Sequence, residues 1–351
     1  AASTKSYDFS EGLKLIESLG LILFVAAVGF IAGPTFFSNL KKNFKSYILL
    51  GAIIILFGGV ASALCFYIGK ATGGIGDYTS KEFISMIVGL MAGALTSTPA
   101  FSAAKQVASN EGLVCLGNAV AYPFGVIGVV LFVQLVPKFT KADMDAERAK
   151  LVISEDKETK KVYTGKLLHL DGHGFAPFAL AAVLGTLFGK IMIPLSGEGL
   201  SGTCFSLTTT GGCLLVSLIL GHFQRIGKIS IMPEGSTLKL FRELGLVLFL
   251  VGAGIPGGAE FVENFDAMYF VYGIIMTVAP MIIGFLFAKY VLKLSLLNNL
   301  GSLTGGMTST PALGTLIGTA GTEDVAAAYA ATYPITLIAV VLVSQFLIIL
   351  F

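Results

Sequence analysis

Two copies of one pentapeptide, Thr96-Ser97-Thr98-Pro99-Ala100 and Thr308-Ser309-Thr310-Pro311-Ala312, gather short hydroxyl side chains in otherwise apolar surroundings. Each follows a pair of glycines four residues apart, Gly89/Gly93 and Gly301/Gly305. Proline removes an N–H and frees a carbonyl one turn back, and the glycines weaken a helix while allowing close approach, so a helix is expected to break at each pentapeptide. The hydroxyls of Thr96, Ser97, Thr98, Thr308, Ser309 and Thr310 then have two uses, as hydrogen-bond partners of the freed backbone or of a bound solute. A helix beginning after each proline aims orphan N–H groups and the positive end of its dipole at the break, which suits a carboxylate. The chemistry is recognition of a small anion or zwitterion, with no bond made or broken.

The remaining polar candidates are few. Tyr122-Pro123 and Tyr333-Pro334 recur at corresponding places, either lining the same site or forming a kinked helix with an interfacial tyrosine. Gln134 and Gln345 read as helix–helix hydrogen bonds, and Gly29/Gly33 and Gly254/Gly258 as ordinary small-residue packing. Lys105 is a cationic partner for a carboxylate or a flanking anchor. Residues 83–104, 113–136, 268–287, 294–317 and 325–351 hold no Asp, Glu or His, so no proton relay is expected in them. His169, Asp171 and His173 lie in a polar stretch that makes a poor metal pocket, and Cys65, Cys115, Cys204 and Cys213 lack ligand spacing, so neither metal nor cofactor is expected. The absence of Walker, G-x-S-x-G and H-E-x-x-H motifs leaves ATP-driven pumping and hydrolysis without support, and the chain is not read as an enzyme.

The elements that hold these residues follow from composition. The chain is 55% hydrophobic and 13% charged, with mean hydropathy +0.85, against about 25% charge in a soluble domain. Fifteen of the charged residues fall in residues 138–173. A water-soluble globule is excluded, and a net charge of +2 with scattered basic residues implies no nucleic-acid partner. Ten stretches are apolar enough for membrane helices: 19–37, 47–68, 83–104, 113–136, 175–195, 203–220, 244–258, 268–287, 294–317 and 325–351. The expected fold is an all-α polytopic membrane protein in a lipid bilayer.

The chain repeats itself. KLIESLGLILF from Lys14 aligns with KLFRELGLVLF from Lys239, an offset of 225, and AYPFGVIGVVLFVQ ending at Gln134 aligns with TYPITLIAVVLVSQ ending at Gln345. Residues 1–137 form a first transmembrane repeat, 138–173 a charged cytoplasmic linker and 174–351 a second repeat. Stretches 175–195 and 203–220 have no partner before residue 13, so about two N-terminal helices of the first repeat are expected to be missing. Lys41, Lys42, Lys45, Arg225, Lys228, Lys289, Lys293 and the linker all belong on the cytoplasmic side by the positive-inside rule. Ten plain crossings contradict that. Five spans per repeat plus a re-entrant or broken TSTP-containing helix pair satisfy it, and the odd number inverts the second copy.

With the doubled G-x-x-x-G-x-x-T-x-T-P-A, the LGL-x-LF block and the Tyr-Pro helix, the sequence resembles the aspartate:alanine exchanger family of bacterial secondary transporters. The resemblance runs through both halves and implies exchange of small carboxylates, such as amino acids or dicarboxylates, by alternating access in the bacterial inner membrane. A homodimer is the expected assembly. Members often carry regulatory domains between the halves, whereas this chain has a bare linker. The competing expectation is an ion or small-anion channel gated through the linker, although two inverted loops in one chain suit alternating access better than a filter.

Overall fold

The computed structural model describes residues 9–42, 44–151, 167–194, 204–264, 266–322 and 324–351. Helices dominate, as backbone deprived of water requires. They are α1 (Phe9–Lys42), α2 (Leu49–Thr72), α3 (Ser80–Ala94), α4 (Thr98–Val107), α5 (Glu111–Phe139), α6 (Met144–Ala149), α7 (Phe175–Gly189), α8 (Thr208–Phe223), α9 (Gly235–Asn264), α10 (Met268–Tyr290), α11 (Leu296–Gly306), α12 (Thr310–Ala320) and α13 (Val325–Leu350). Each of the ten apolar stretches contains a helix, with the third divided into α3 and α4 and the ninth into α11 and α12. Among the described residues five helices are long and apolar enough to cross a membrane, and α7 and α8 are apolar but shorter. The protein is a multi-pass membrane protein.

Short strands depart from the all-helical expectation. β1 (Leu168–His169) pairs in parallel with β5 (Ile229–Ser230), which also pairs antiparallel with β4 (Arg225–Ile226). β2 (Met192–Pro194) pairs antiparallel with β3 (Cys204–Ser206). The helix expected to reach residue 195 therefore stops at Gly189, where the chain presses on the next helix: a Cβ there would lie 2.0 Å from the Thr208 carbonyl oxygen. Beyond it Ile191 and Ile193 favour extended backbone, and Pro194 has no N–H to continue a helix. Linker residues 152–166, Thr203 and the Cys204 side chain lie outside the described residues, as do residues 1–8, beyond which the missing helices were expected.

The chain forms two compact units, each drawing on both repeats. One comprises Ala1–Gly33 and Leu168–Ala259, the other Pro34–Leu167 and Glu260–Phe351. In the first, α1 and α9 touch at Gly20 and Gly245, residues related by the repeat offset. A Cβ on Gly20 would lie 2.5 Å from the Phe249 nitrogen, and one on Gly245 would lie 2.4 Å from the Phe24 nitrogen, so only glycine fits either position. Gly29 and Gly33 bring α1 equally close to α8 at Ser217 and Gly221. A Cβ on Gly254 or Gly258, of similar spacing, would meet no atom within 4 Å among the described residues. Ala26, Ala27, Phe30, Phe178, Ala181 and Leu238 form this unit's core.

The second unit contains both pentapeptides. Its packing is mirrored between the halves: α3 lies along α5 as α11 lies along α13, α2 meets α10, and α4 rests on α13 as α12 rests on α5. Each broken segment thus leans on the last helix of the other half.

Candidate substrate site at the paired helix breaks

α3 opens with a capping box, in which the Thr79 N–H donates to Glu82 Oε2 at 2.9 Å and the Glu82 N–H donates to Thr79 Oγ1 at 3.3 Å. From Phe83 to Ala94 every residue is buried, so no polar face can steer the helix and its small residues set its position. A Cβ on Gly89 would meet the Val114 carbonyl oxygen at 2.3 Å, and one on Gly93 the Asn118 carbonyl oxygen at 2.6 Å, both on α5. Gly301 and Gly305 approach α13 likewise, at the carbonyls of Val325 (2.6 Å) and Tyr329 (2.7 Å).

The helices end before their prolines. The Thr96 N–H donates to Gly93 O at 2.9 Å and the Ser97 N–H to Ala92 O at 2.8 Å, the paired bonds of a Schellman motif. The Thr308 N–H donates to Gly305 O at 3.1 Å and the Ser309 N–H to Thr304 O at 2.9 Å in the second copy. Pro99 and Pro311 then occupy the first turns of α4 and α12, where a missing N–H costs nothing. The proline starts the second helix; the Schellman turn stops the first.

Such turns use glycine at the left-handed position, yet Thr96 and Thr308 occupy it with φ of 52° and 51°. A β-branched residue there is strained. The hydroxyls supply the reason. Thr96 Oγ1 donates to Met307 O at 3.0 Å, and Thr308 Oγ1 donates to Leu95 O at 2.8 Å. Leu95 and Met307 are the C-cap residues of α3 and α11, whose carbonyls have no intrahelical donor. Each threonine therefore satisfies the orphan carbonyl of the other repeat, and the two buried breaks are clasped reciprocally. Sequence reasoning found these residues but not this contact, which joins positions more than 200 apart.

Past the clasp the halves diverge. Ser97 caps α4 by accepting from the Ala100 N–H at 3.3 Å. Ser309, also in extended backbone before its helix, makes no side-chain capping bond, and its buried Oγ has no hydrogen-bond partner among the described residues. Thr98 is half-buried, while Thr310 and Pro311 are exposed; Pro99, Ala100 and Ala312 are buried. Thr310 Oγ1 lies 3.3 Å from the Tyr329 hydroxyl, and the Tyr329 ring stacks on Tyr333 with centroids 4.9 Å apart. Tyr329 went unnoticed in the sequence, although it precedes Tyr333 by one helical turn. The first repeat has Asn118 in its place, since Gly93 rests on Asn118 as Gly305 rests on Tyr329. Tyr122 and Pro123 are exposed, Pro334 and Gln345 buried, and Gln134 half-buried. The structure thus gathers Ser309, Thr310, Tyr329 and Tyr333 at the start of α12.

Lys105 is the one charged side chain fully buried among the described residues, in the last turn of α4 with Glu111 Oε2 3.7 Å from its Nζ. A cation at a helix C-terminus is favoured by the dipole. In the HLDGH stretch Asp171 serves as a helix cap: its carboxylate accepts from the N–H groups of His173 (3.0 Å), Phe175 (2.9 Å) and Ala176 (2.8 Å) where α7 begins. These bonds, that from Ala176 foremost, hold its pKa below the ordinary aspartate value.

A family model described as a predicted permease membrane region, Asp-Al Ex, matches residues 10–138 and 177–349. An uncharacterized transporter of Bacteroides fragilis is 27% identical over 488 aligned residues, covering 95% of this chain and 89% of that protein. An uncharacterized transporter of Rhodopirellula baltica is 25% identical across 94% and 90% of the two chains, and a putative transport protein of Edwardsiella ictaluri 24% identical across 97% and 90%. An aligned length of 488 exceeds the 351 residues of this chain, so the Bacteroides fragilis relative carries inserted segments that this chain lacks.

Proposed function

The chain belongs to the aspartate:alanine exchanger family of predicted permeases, and we propose on that footing that it exchanges small carboxylates across the bacterial inner membrane. Family and relatives make it a membrane transporter; substrate and mechanism are our reading. The observation that carries it is the pair of helix breaks clasped through Thr96 and Thr308, with α4 and α12 both starting at the clasp. In this scheme the repeats are inverted, each broken segment dips into the membrane and returns, and the substrate carboxylate sits at the helix starts. Thr98, Ser309 and Thr310 hydroxyls and the Ala312 N–H bind it, while Thr96 and Thr308 hold the breaks together. Amino acids such as aspartate and alanine, or dicarboxylates, match this donor set. All these groups lie in the unit of Pro34–Leu167 and Glu260–Phe351; access alternates around the paired TSTP segments by an elevator-like motion, and the working assembly is a homodimer.

Proteoliposome counterflow with labelled amino acids and dicarboxylates tests this. Uptake accelerated by unlabelled substrate on the opposite side is expected. Flux that ignores the trans substrate, or a conductance, would replace the carrier by a channel gated through the linker.

A further inference from the structure

The two broken hairpins are anchored differently. The first is closed by residues next to it in the chain, through the Thr79–Glu82 box at the start of α3 and the proximity of Lys105 to Glu111, the first residue of α5, at its end. In the second copy Thr79 and Glu82 align with Val291 and Leu294, which cannot cap, and Ser295 makes no side-chain capping bond. The missing partners come from α6, in the linker. Glu147 Oε2 accepts from the Leu296 N–H at 2.8 Å, at the start of α11. Arg148 Nε donates to Ala320 O at 2.5 Å, at the end of α12. Both charges have the sign that the helix dipole favours at that end.

Further contacts fix α6 in place. Glu147 Oε1 is held by Lys150 Nζ at 2.7 Å, and the Glu147 side chain is 14% exposed. Asn298 Nδ2 of α11 reaches Lys150 O at 3.5 Å. Leu151 is buried in a cluster with Leu297, Leu300, Leu316, Ala320 and Val325. One short segment thus grips both feet of the hairpin whose far end carries Ser309 and Thr310.

The geometry points to α6 as a latch through which the linker sets the mobility of the α11–α12 hairpin, and so the rate of substrate exchange, with Glu147 and Arg148 as positioning residues. A displacement of the linker at Leu151 reaches both ends of the hairpin together. The inference rests on reading that hairpin as part of the transport site.

Glu147→Ala, Arg148→Ala and Glu147→Gln test it in the full chain reconstituted in proteoliposomes. Amide hydrogen exchange over 296–306 and 310–320 is compared with that over 80–107, and turnover with half-saturating substrate concentration. Loss of a charge-assisted bond should raise hydrogen exchange at the hairpin's feet by about 10- to 150-fold. The first hairpin should stay unchanged, turnover should shift several-fold, and half-saturation should move less than about twofold. Glu147→Gln keeps an acceptor for the Leu296 N–H and should lie closer to wild type than Glu147→Ala. Unchanged hydrogen exchange in both alanine variants, increased hydrogen exchange with unchanged turnover, or Glu147→Gln behaving as Glu147→Ala would each overturn the latch. If the wild-type protein exchanges no carboxylate, the transport reading fails, while the hydrogen-exchange comparison still decides whether α6 holds the hairpin.

Discussion

Thr96→Val isolates the clasp. Valine keeps the β-branch, and with it the left-handed strain at φ 52°, but loses the hydroxyl that donates to Met307 O. Met307 is fully buried, so its carbonyl is left without that donor, at about 1–3 kcal/mol. Thr96→Gly loses the same bond but relieves about 1–2 kcal/mol of strain, less about 0.5–1 kcal/mol for glycine's backbone freedom. Thr96→Ser keeps the donor. The expected order of stability is wild type, then Ser, then Gly, then Val. The chain has no tryptophan, but the thiols of Cys65 and Cys115 are buried in the unit that holds the clasp. A thiol-reactive dye therefore reports its thermal unfolding. At about 2–4 °C per kcal/mol for a body of 150–250 residues, Thr96→Val should lower the midpoint by about 2–12 °C. Thr308→Val should act alike through Leu95 O, and the double variant should lose less than the sum, because opening one bond loosens the other. A Thr96→Val midpoint within about 1 °C of wild type, or a glycine variant less stable than the valine one, would refute the clasp.

Further outcomes follow from other parts of the structure. Thr310→Val should weaken substrate half-saturation in counterflow by about 10- to 150-fold with little change in melting. Ser309→Ala should do the same without destabilising the substrate-free protein, because its buried hydroxyl has no partner to lose among the described residues. Gly20→Val or Gly245→Val should abolish monodisperse expression, since each added Cβ falls within 2.5 Å of backbone, whereas Gly254→Ala, facing no described atom within 4 Å, should be tolerated. Asp171 has a lowered pKa, so its contribution to stability is present above the ordinary aspartate value of about 3.9 and disappears as pH falls through the lower folded value; Asp171→Ala should flatten that acid limb in melting curves. With native cysteines replaced, Glu263→Cys should react with an impermeant thiol reagent from outside and Lys42→Cys should not; the opposite pattern would contradict the inverted arrangement.

Hydropathy located the ten helical stretches because a membrane span needs only length and a lack of charge, both readable without knowing a neighbour. The breaks were also legible, since proline after paired glycines weakens any helix. Their geometry was not. Threonine is a poor choice for a left-handed position on propensity alone, and it becomes intelligible only beside a carbonyl from the other repeat. Gly29/Gly33 and Gly254/Gly258 share a spacing, yet only the first pair meets α8, because packing depends on what the partner presents. The docking of α6 escaped for the same reason: Leu296 and Ala320 are distant from it in sequence.

Where the repeats touch each other, their residues have stayed alike. Gly20 and Gly245 cross with almost the same backbone distances, and Thr96 and Thr308 exchange the same bond in both directions. A change at such a position unbalances both copies, since each residue is part of the other's environment. Away from these contacts the copies have drifted: Ser97 caps its helix and Ser309 does not, Asn118 stands where the second half has Tyr329, and the Thr79–Glu82 box gives way to Glu147 of the linker. All three differences concern the α11–α12 hairpin or the helix beside it, and each exposes a donor there or hands its support to another part of the chain. The shared clasp fixes where the breaks lie, and the divergence around α12 makes the two sides of the site chemically unequal. A carboxylate placed between them would therefore depend more on Thr310 than on Thr98, and the size of that inequality in matched Thr→Val variants measures how far the site has departed from the symmetry of its duplication.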